Sequence, residues 1–189
     1  MSDVPKIMNL GSGKDWREDC LNVDILARTS PDLCLDICST IFWGSTVFAK
    51  RFAPFPLNKG MFEKIIANDV LEHLFDLTTA MRTCLDLLCD GGEFHICVPY
   101  DLSYGAWQDP THVRAFNERS WWYYSDWAWY LGWTDARFTV ASLNFNLSDH
   151  GNQLQASLMD HDSIIRTPRA VDSMNVVLKK ITMLEGKDD

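Results

Sequence analysis

The segment Lys6-Ile7-Met8-Asn9-Leu10-Gly11-Ser12-Gly13, followed by Leu21-Asn22-Val23-Asp24-Ile25, constrains the fold of this 189-residue chain more than any other. A short apolar run ends in a Gly-x-Gly turn, and a second apolar run ends in a single carboxylate. In an open parallel sheet, ligands bind at the carboxyl ends of the strands, near the point where strand order reverses. Gly11 and Gly13 let the backbone turn sharply and approach a ligand closely, because neither carries a Cβ. Asp24, at the tip of the next run, is placed to accept hydrogen bonds from the two hydroxyls of a ribose. The pattern predicts a nucleoside site. Position 16 is Trp16 where a dinucleotide fingerprint has its third glycine, which counts against a pyrophosphate ligand.

Later runs extend the pattern. Asp32-Leu33-Cys34-Leu35-Asp36-Ile37 reads as a third strand, Phe62 to Ala67 as a fourth, and Gly91 to Pro99 as a turn feeding a fifth. Strand-length runs alternating with other segments predict a parallel α/β sheet in a single domain over residues 1–189. The gap from Gly13 to Leu21 leaves room for one or two helical turns. Residues 38–61 read as a helix followed by an irregular loop. Leu71, Leu74, Leu77, Met81, Leu85 and Leu88 recur at three- and four-residue steps and predict an amphipathic helix over 70–89, closed by Gly91-Gly92. Residues 99–116 are loop-like, and 117–131 read as a helix capped within Asn117–Ser120. Residues 137–147 and 175–181 read as strands, 149–152 as a turn, and 153–172 fit neither period. A charged tail, 183–189, is expected to fray.

With these runs in place the chain resembles the class I S-adenosylmethionine-dependent methyltransferases, specifically a small group carrying N-L-G-x-G, N-V-D, D-V-L-E-H-L and D-P-T-H-x-R. The matching residues are Asn9–Gly13, Asn22–Asp24, Asp69–Leu74 and Asp109–Arg114, and the resemblance covers residues 6–140. It implies a Rossmann-like α/β fold: a mostly parallel sheet with an antiparallel terminal strand and helices on both faces. It also implies S-adenosylmethionine as cofactor. Gly11, Ser12 and Gly13 would lie beside its amino-acid part and Asp24 would take the ribose hydroxyls. Asp36, with Ile37, would sit near the adenine, and Asn68 near the methionine portion. Asp36 also reads as a solvated strand-end carboxylate, and Asp69 as the N-cap of the following helix. The implied activity is methyl transfer to an oxygen or nitrogen of a small acceptor. Two other readings stand beside it: an enzyme using the same cofactor for other chemistry, and a non-catalytic cofactor-binding subunit of a complex.

Catalytic candidates come from two segments. Glu72 and His73 fall in the first turn of the predicted helix, where the dipole favours an anionic carboxylate and a neutral imidazole able to accept a proton. His73 reads equally as a packing residue of the crevice wall. In Asp109-Pro110-Thr111-His112-Val113-Arg114, the Asp-Pro turn can bring Asp109 to His112, and a carboxylate that orients an imidazole makes a workable base. Arg114 would pair with an acidic group on the substrate or with Asp109, in which case the loop is a structural turn. No third ligand accompanies Asp109 and His112, so no metal site is expected. Five tryptophans and three tyrosines crowd residues 121–133 and cannot share one helix face. They read as core, as a substrate wall, or as the interface of a homo-oligomer.

A formal charge of -9 disfavours nucleic acid as a partner, since that affinity rests on Lys and Arg neutralising phosphates. No apolar run reaches the ~18 residues of a membrane span, and the N-terminus has no signal-peptide pattern. The six cysteines form no C-x-x-C pair and read as reduced core thiols, so a cytoplasmic protein is expected.

Overall fold

Nine strands organise the computed structural model, which describes residues 4–183. They are β1 (Ile7–Leu10), β2 (Leu21–Asp24), β3 (Leu33–Cys34), β4 (Thr46–Val47), β5 (Phe55–Pro56), β6 (Phe62–Asn68), β7 (Leu88–Pro99), β8 (Ala136–Leu147) and β9 (Val171–Thr182). The helices are α1 (Leu77–Leu87), α2 (Gly105–Gln108), α3 (Asp149–Ala156) and α4 (His161–Arg166). Seven strands form one sheet in the order β3-β2-β1-β6-β7-β9-β8. Strands β3, β2, β1, β6 and β7 are parallel, and β9 runs antiparallel to both β7 and β8. The sheet is therefore mostly parallel with one reversed strand, as the motifs imply. Chain order reverses at β1, which has β2 on one side and β6 on the other. That is the switch point at which ligands bind.

The two faces of the sheet are unequally covered. Met8, Ile65, Phe94 and Leu178 lie in one row across four strands, and Leu10, Ala67, Ile96 and Val176 in another. All eight are buried, together with Leu77, Ala80, Met81, Cys84 and Leu85 of α1. On the opposite face, along the row Asn9, Ile66, His95, Val177, Ser142, the loop after β1 covers Asn9, whose Nδ2 donates to the Asp15 carbonyl. Ile66, His95 and Val177 keep partial exposure, and Ser142 is exposed. The shallow depression over them is lined by Arg17 and by sheet residues, with no helical residue among them. Parallel sheets normally have both faces buried. Here β7 over 92–98 and β9 over 174–179 alternate with a period of two, placing Glu93, His95, Asn175 and Lys179 on the bare face, so the strands tolerate solvent there.

Several local expectations change. The segment 70–89 is not one helix. Leu71–His73 forms a single 3-10 turn, and α1 starts at Leu77 with Asp76 as its cap, its carboxylate accepting from Thr79 N at 3.0 Å. Asp69 is therefore no N-cap. Helix α1 stops at Leu87, before the glycines, because Leu88 turns extended and pairs with Phe62. No helix joins β1 to β2. Asn22 clamps that loop instead, its amide oxygen accepting from Arg17 N at 2.9 Å and its amide nitrogen donating to Arg17 O at 2.7 Å. Residues 38–61 carry the β4–β5 ribbon rather than a helix. Residues 117–131 make two 3-10 turns, Trp122–Tyr124 and Ala128–Leu131, because aromatic side chains must point both inward and outward. The predicted turn at 149–152 opens α3, capped by Ser148, whose Oγ accepts from Gly151 N at 3.1 Å. Gly151 is required there, since a Cβ would collide with the carbonyl of Ala170.

The tail begins pinned. Met183 N donates to Asp135 O at 2.8 Å, and the rest of the expected fray lies outside the described residues. All six cysteines are free, but only Cys20 and Cys84 are buried and Cys34 is exposed, because β3 is an edge strand. Among the described residues no helix is long and apolar enough to cross a membrane.

Candidate functional site

At the switch point the Gly-x-Gly loop leaves β1 with Gly11 at φ +63° and Gly13 at φ +42°. Gly11 has a second reason to lack a side chain: a Cβ there would run into Val70. Asp24 ties the loop down. Its Oδ2 accepts from Gly13 N and its Oδ1 from Leu26 N, both at 2.8 Å. Ser12 N donates to Val23 O at 3.0 Å, while the Ser12 Oγ is buried with no partner among the described residues.

Beside this loop lies a small crevice of about 60 Å³ lined by Leu10, Gly11, Asp24, Ile25, Leu35, Asp36, Ile37, Val70 and Leu74. Gly11, Asp24 and Asp36 are thus brought together from three separate segments. Asp36 also closes a turn two residues past the end of β3, accepting from Cys38 N at 2.9 Å and from Ser39 Oγ at 3.0 Å. Asn68 does not reach the crevice. It ends β6 on the bare face, two residues after Ile66, and its Nδ2 lies 3.4 Å from Asp15 Oδ2. Val70 takes its place on the crevice wall. A nucleoside fits this donor set: apolar walls for a base, a carboxylate for vicinal hydroxyls, and a glycine where backbone and ligand must come close.

The second cluster lies one turn away along the chain. Val113 N donates to Glu72 O at 2.9 Å, and Arg114 Nη2 donates to Leu74 O at 2.6 Å and Phe75 O at 2.9 Å. Arg114 therefore fastens the Asp-Pro loop to the 3-10 turn and is not paired with Asp109. The fastening sets the His73 and His112 rings edge to face, 4.6 Å between centroids. His112 Nε2 stands 3.9 Å from Asp109 Oδ2 and 4.0 Å from Glu72 Oε1. The expected carboxylate–imidazole hydrogen bond is thus not made, because Asp109 Oδ1 accepts instead from Thr111 N at 2.8 Å and Thr111 Oγ1 at 2.7 Å. Those bonds hold Asp109 below the ordinary carboxylate range.

Glu72 is the residue that sequence reasoning undervalued. It is 1% exposed, and neither carboxylate oxygen is hydrogen-bonded by another of the described residues. Burial pushes its pKa up to about 7; its own backbone amide is the main opposing influence, with the negative charge of Asp69 adding to the rise and His112 opposing it. One atom each from Glu72, His73 and His112 lies within 4.8 Å of the others, a three-donor set around His112 that leaves Asp109 out. The available signal was a Glu-His pair at the end of a strand, facing a second histidine in a later loop. The helix-terminus argument for His73 does not hold, since the residue lies in a three-residue 3-10 turn.

In the aromatic segment Trp121, Tyr124, Ala128 and Trp133 are buried, while Trp122, Tyr123, Trp127, Trp129 and Tyr130 are exposed. Core accounts for one set and leaves the other facing outward, its rings joined edge to face.

No family model and no curated protein matches this chain. Solved structures do match in fold. A SAM-dependent methyltransferase from Archaeoglobus fulgidus is 14% identical with a TM-score of 0.57, over 93% of this chain and 86% of that one. An S-adenosylmethionine-dependent methyltransferase from Mesorhizobium loti is 13% identical with a TM-score of 0.55, over 95% and 93%. The [4+2]-cyclase SpnF is 12% identical with a TM-score of 0.57, over 97% and 77%. The chain has the Rossmann-like fold of these proteins.

Proposed function

We propose that this protein binds S-adenosylmethionine and transfers its methyl group to an oxygen or nitrogen of a small acceptor. The observation that carries the reading is the crevice at the switch point, which gathers Gly11, Asp24 and Asp36 around apolar walls. The cofactor, when bound, supplies an activated methyl group on a sulfonium. Methyl transfer is an in-line displacement, so the protein contributes mainly by positioning. In this reading Asp24 holds the ribose, Asp36 and Ile37 hold the adenine, and the Gly11–Gly13 loop borders the amino-acid part. His112 accepts the acceptor's proton, with Glu72 and Asp109 on either side of its Nε2 and His73 against its ring. Asn68, which does not line the crevice, stays the proposed contact of the methionine portion. The free thiols agree with a reducing compartment, and the cytoplasm is the proposed location.

Fold alone does not fix chemistry, and the likeness to a cyclase keeps other chemistry on the same cofactor as the second reading. Two measurements decide. Calorimetry should show binding of S-adenosylhomocysteine and none of NAD; the reverse pattern ends the reading. Incubation of cell extract with methyl-labelled cofactor should yield a labelled small molecule, whereas binding without any labelled product points to the cyclase-like or the non-catalytic alternative. With the acceptor in hand, His112→Ala should lower kcat by ~10²–10⁴-fold and leave S-adenosylhomocysteine affinity unchanged.

A further inference from the structure

We propose that Glu72, His73 and His112 form a binding site for one divalent first-row transition-metal ion of the zinc type. The argument is a count of protons and lone pairs. His112 Nδ1 faces the carbonyl of Ala106 at 3.3 Å, a group that can only accept, so Nδ1 carries the proton and Nε2 the lone pair. That Nε2 points between Glu72 and Asp109. Thr111 Oγ1 donates its one proton to the Asp109 carboxylate at 2.7 Å, so toward His73 Nδ1, at 3.0 Å, it can only accept. His73 Nδ1 is then protonated as well, and its Nε2 bears the lone pair. Glu72 adds two carboxylate oxygens, both buried and neither hydrogen-bonded by another of the described residues.

Three side chains therefore converge with acceptors and no donor. Buried acceptors in native proteins are almost always satisfied. A single proton would satisfy one of them. A metal ion satisfies all three groups at once, and the outer hydrogen bonds from Nδ1 to a carbonyl and to a hydroxyl are those that orient ligating imidazoles. Two imidazoles and a carboxylate suit Zn²⁺ and its first-row neighbours rather than Mg²⁺ or Ca²⁺, which favour all-oxygen shells. Three protein ligands leave a fourth position open. The spread of up to 4.8 Å among the donor atoms must contract by about 1 Å or more for ligation at ~2.0–2.1 Å. Rotation of the Glu72 carboxylate and of the partly exposed His73 ring supplies that movement. The site stands independently of the cofactor reading; a bound ion occupies the lone pair of His112 Nε2, so His112 acts as the acceptor's base only in the metal-free protein.

The test uses the full-length protein and Zn²⁺ alone, by titration calorimetry, with Co²⁺ absorption as a second readout. One ion should bind per chain, and Co²⁺ should give visible bands of a low-coordinate site. Glu72→Gln and His112→Asn, checked as folded by circular dichroism, should each weaken Zn²⁺ binding at least ~100-fold. His150→Asn and His161→Asn, on exposed positions outside the cluster, should leave it unchanged. Absence of a one-to-one Zn²⁺ isotherm, or one that survives Glu72→Gln, overturns the proposal. Calorimetry of S-adenosylhomocysteine on the same samples separates the two ideas, since failure there with Zn²⁺ bound sinks the cofactor reading alone.

Discussion

Removing the Asp24 carboxylate should have two separable effects, one on stability and one on affinity. Its two oxygens each accept a backbone amide at 2.8 Å, from Gly13 and from Leu26. Charge-assisted bonds of this kind are worth ~1.5–3 kcal/mol each. Both amides are only part-buried, which favours the lower end, so Asp24→Ala should cost about 3 kcal/mol of stability. For a domain of this size ~2–4 °C of Tm follows each kcal/mol, giving a fall of about 6–12 °C by calorimetry. Asp24→Asn keeps one acceptor oxygen of the same shape and should lose about half as much. If ribose hydroxyls share the same oxygens, S-adenosylhomocysteine binding to folded Asp24→Ala should weaken more than tenfold, equivalent to at least ~1.4 kcal/mol. A large drop in Tm with unchanged affinity would leave Asp24 a loop tie only. Unchanged Tm and unchanged affinity together would refute the geometry itself.

Gly11→Ala should destabilise by ~1–2 kcal/mol from its left-handed backbone plus the collision with Val70, and adding Val70→Ala should restore the collision part in urea unfolding. Purely additive losses would contradict that contact. Asp32 is buried, which raises its pKa, but the guanidinium of Arg51 at 2.6 Å and the amides of Asn22 outweigh this and lower it. Its contribution to stability is full above the ~3.9 of an unfolded aspartate and is lost as pH falls through the lower folded value. Asp32→Asn should therefore lower stability at pH 7 and flatten the decline below pH 4; an unchanged acid limb would show the pair is not responsible. Trp129, 70% exposed, should tolerate alanine within ~0.5 kcal/mol of stability while its loss changes either mass by light scattering or acceptor turnover, and no change in both would make the exposed aromatic set functionless.

What the sequence made legible was the part governed by local rules. Gly11, Gly13 and Asp24 lie close together along the chain, so a strand-turn-strand reading predicts their meeting. Asp36 follows from a third strand in register beside the second. Longer predictions failed where tertiary contacts overrode periodicity. Leucines from 71 to 88 keep a helical spacing, yet Asp76 captures the Thr79 amide and starts the helix late, and Leu88 leaves it early to pair with Phe62. The same alternation that identifies β7 and β9 as strands also encodes a one-sided sheet. His95, Asn175 and Lys179 announce that bare face, and it is the reason Asn68 falls away from the crevice. Glu72 was only half legible: the Glu-His pair stands in the sequence, but that no other described residue bonds its buried carboxylate is a fact of packing.

The link between the crevice and the polar cluster rests on one residue. Asp69 adopts φ +51°, a left-handed conformation that costs less for aspartate than for most residues because its short side chain can bond locally. Its amide donates to Cys97 O at 2.9 Å, so the bend is held by the neighbouring strand. The bend takes the chain from Asn68 on the bare face to Val70 over Gly11, and the next turn delivers Glu72 and His73 to the Asp-Pro loop. Val70 and Leu74 line the crevice while Glu72 and His73, between them in sequence, belong to the cluster. The walls of one site and the donors of the other thus share a single 3-10 turn. A rigid shift of that turn would move both, so the contact of Val70 with Gly11 fixes the position of the cluster as well as the width of the crevice.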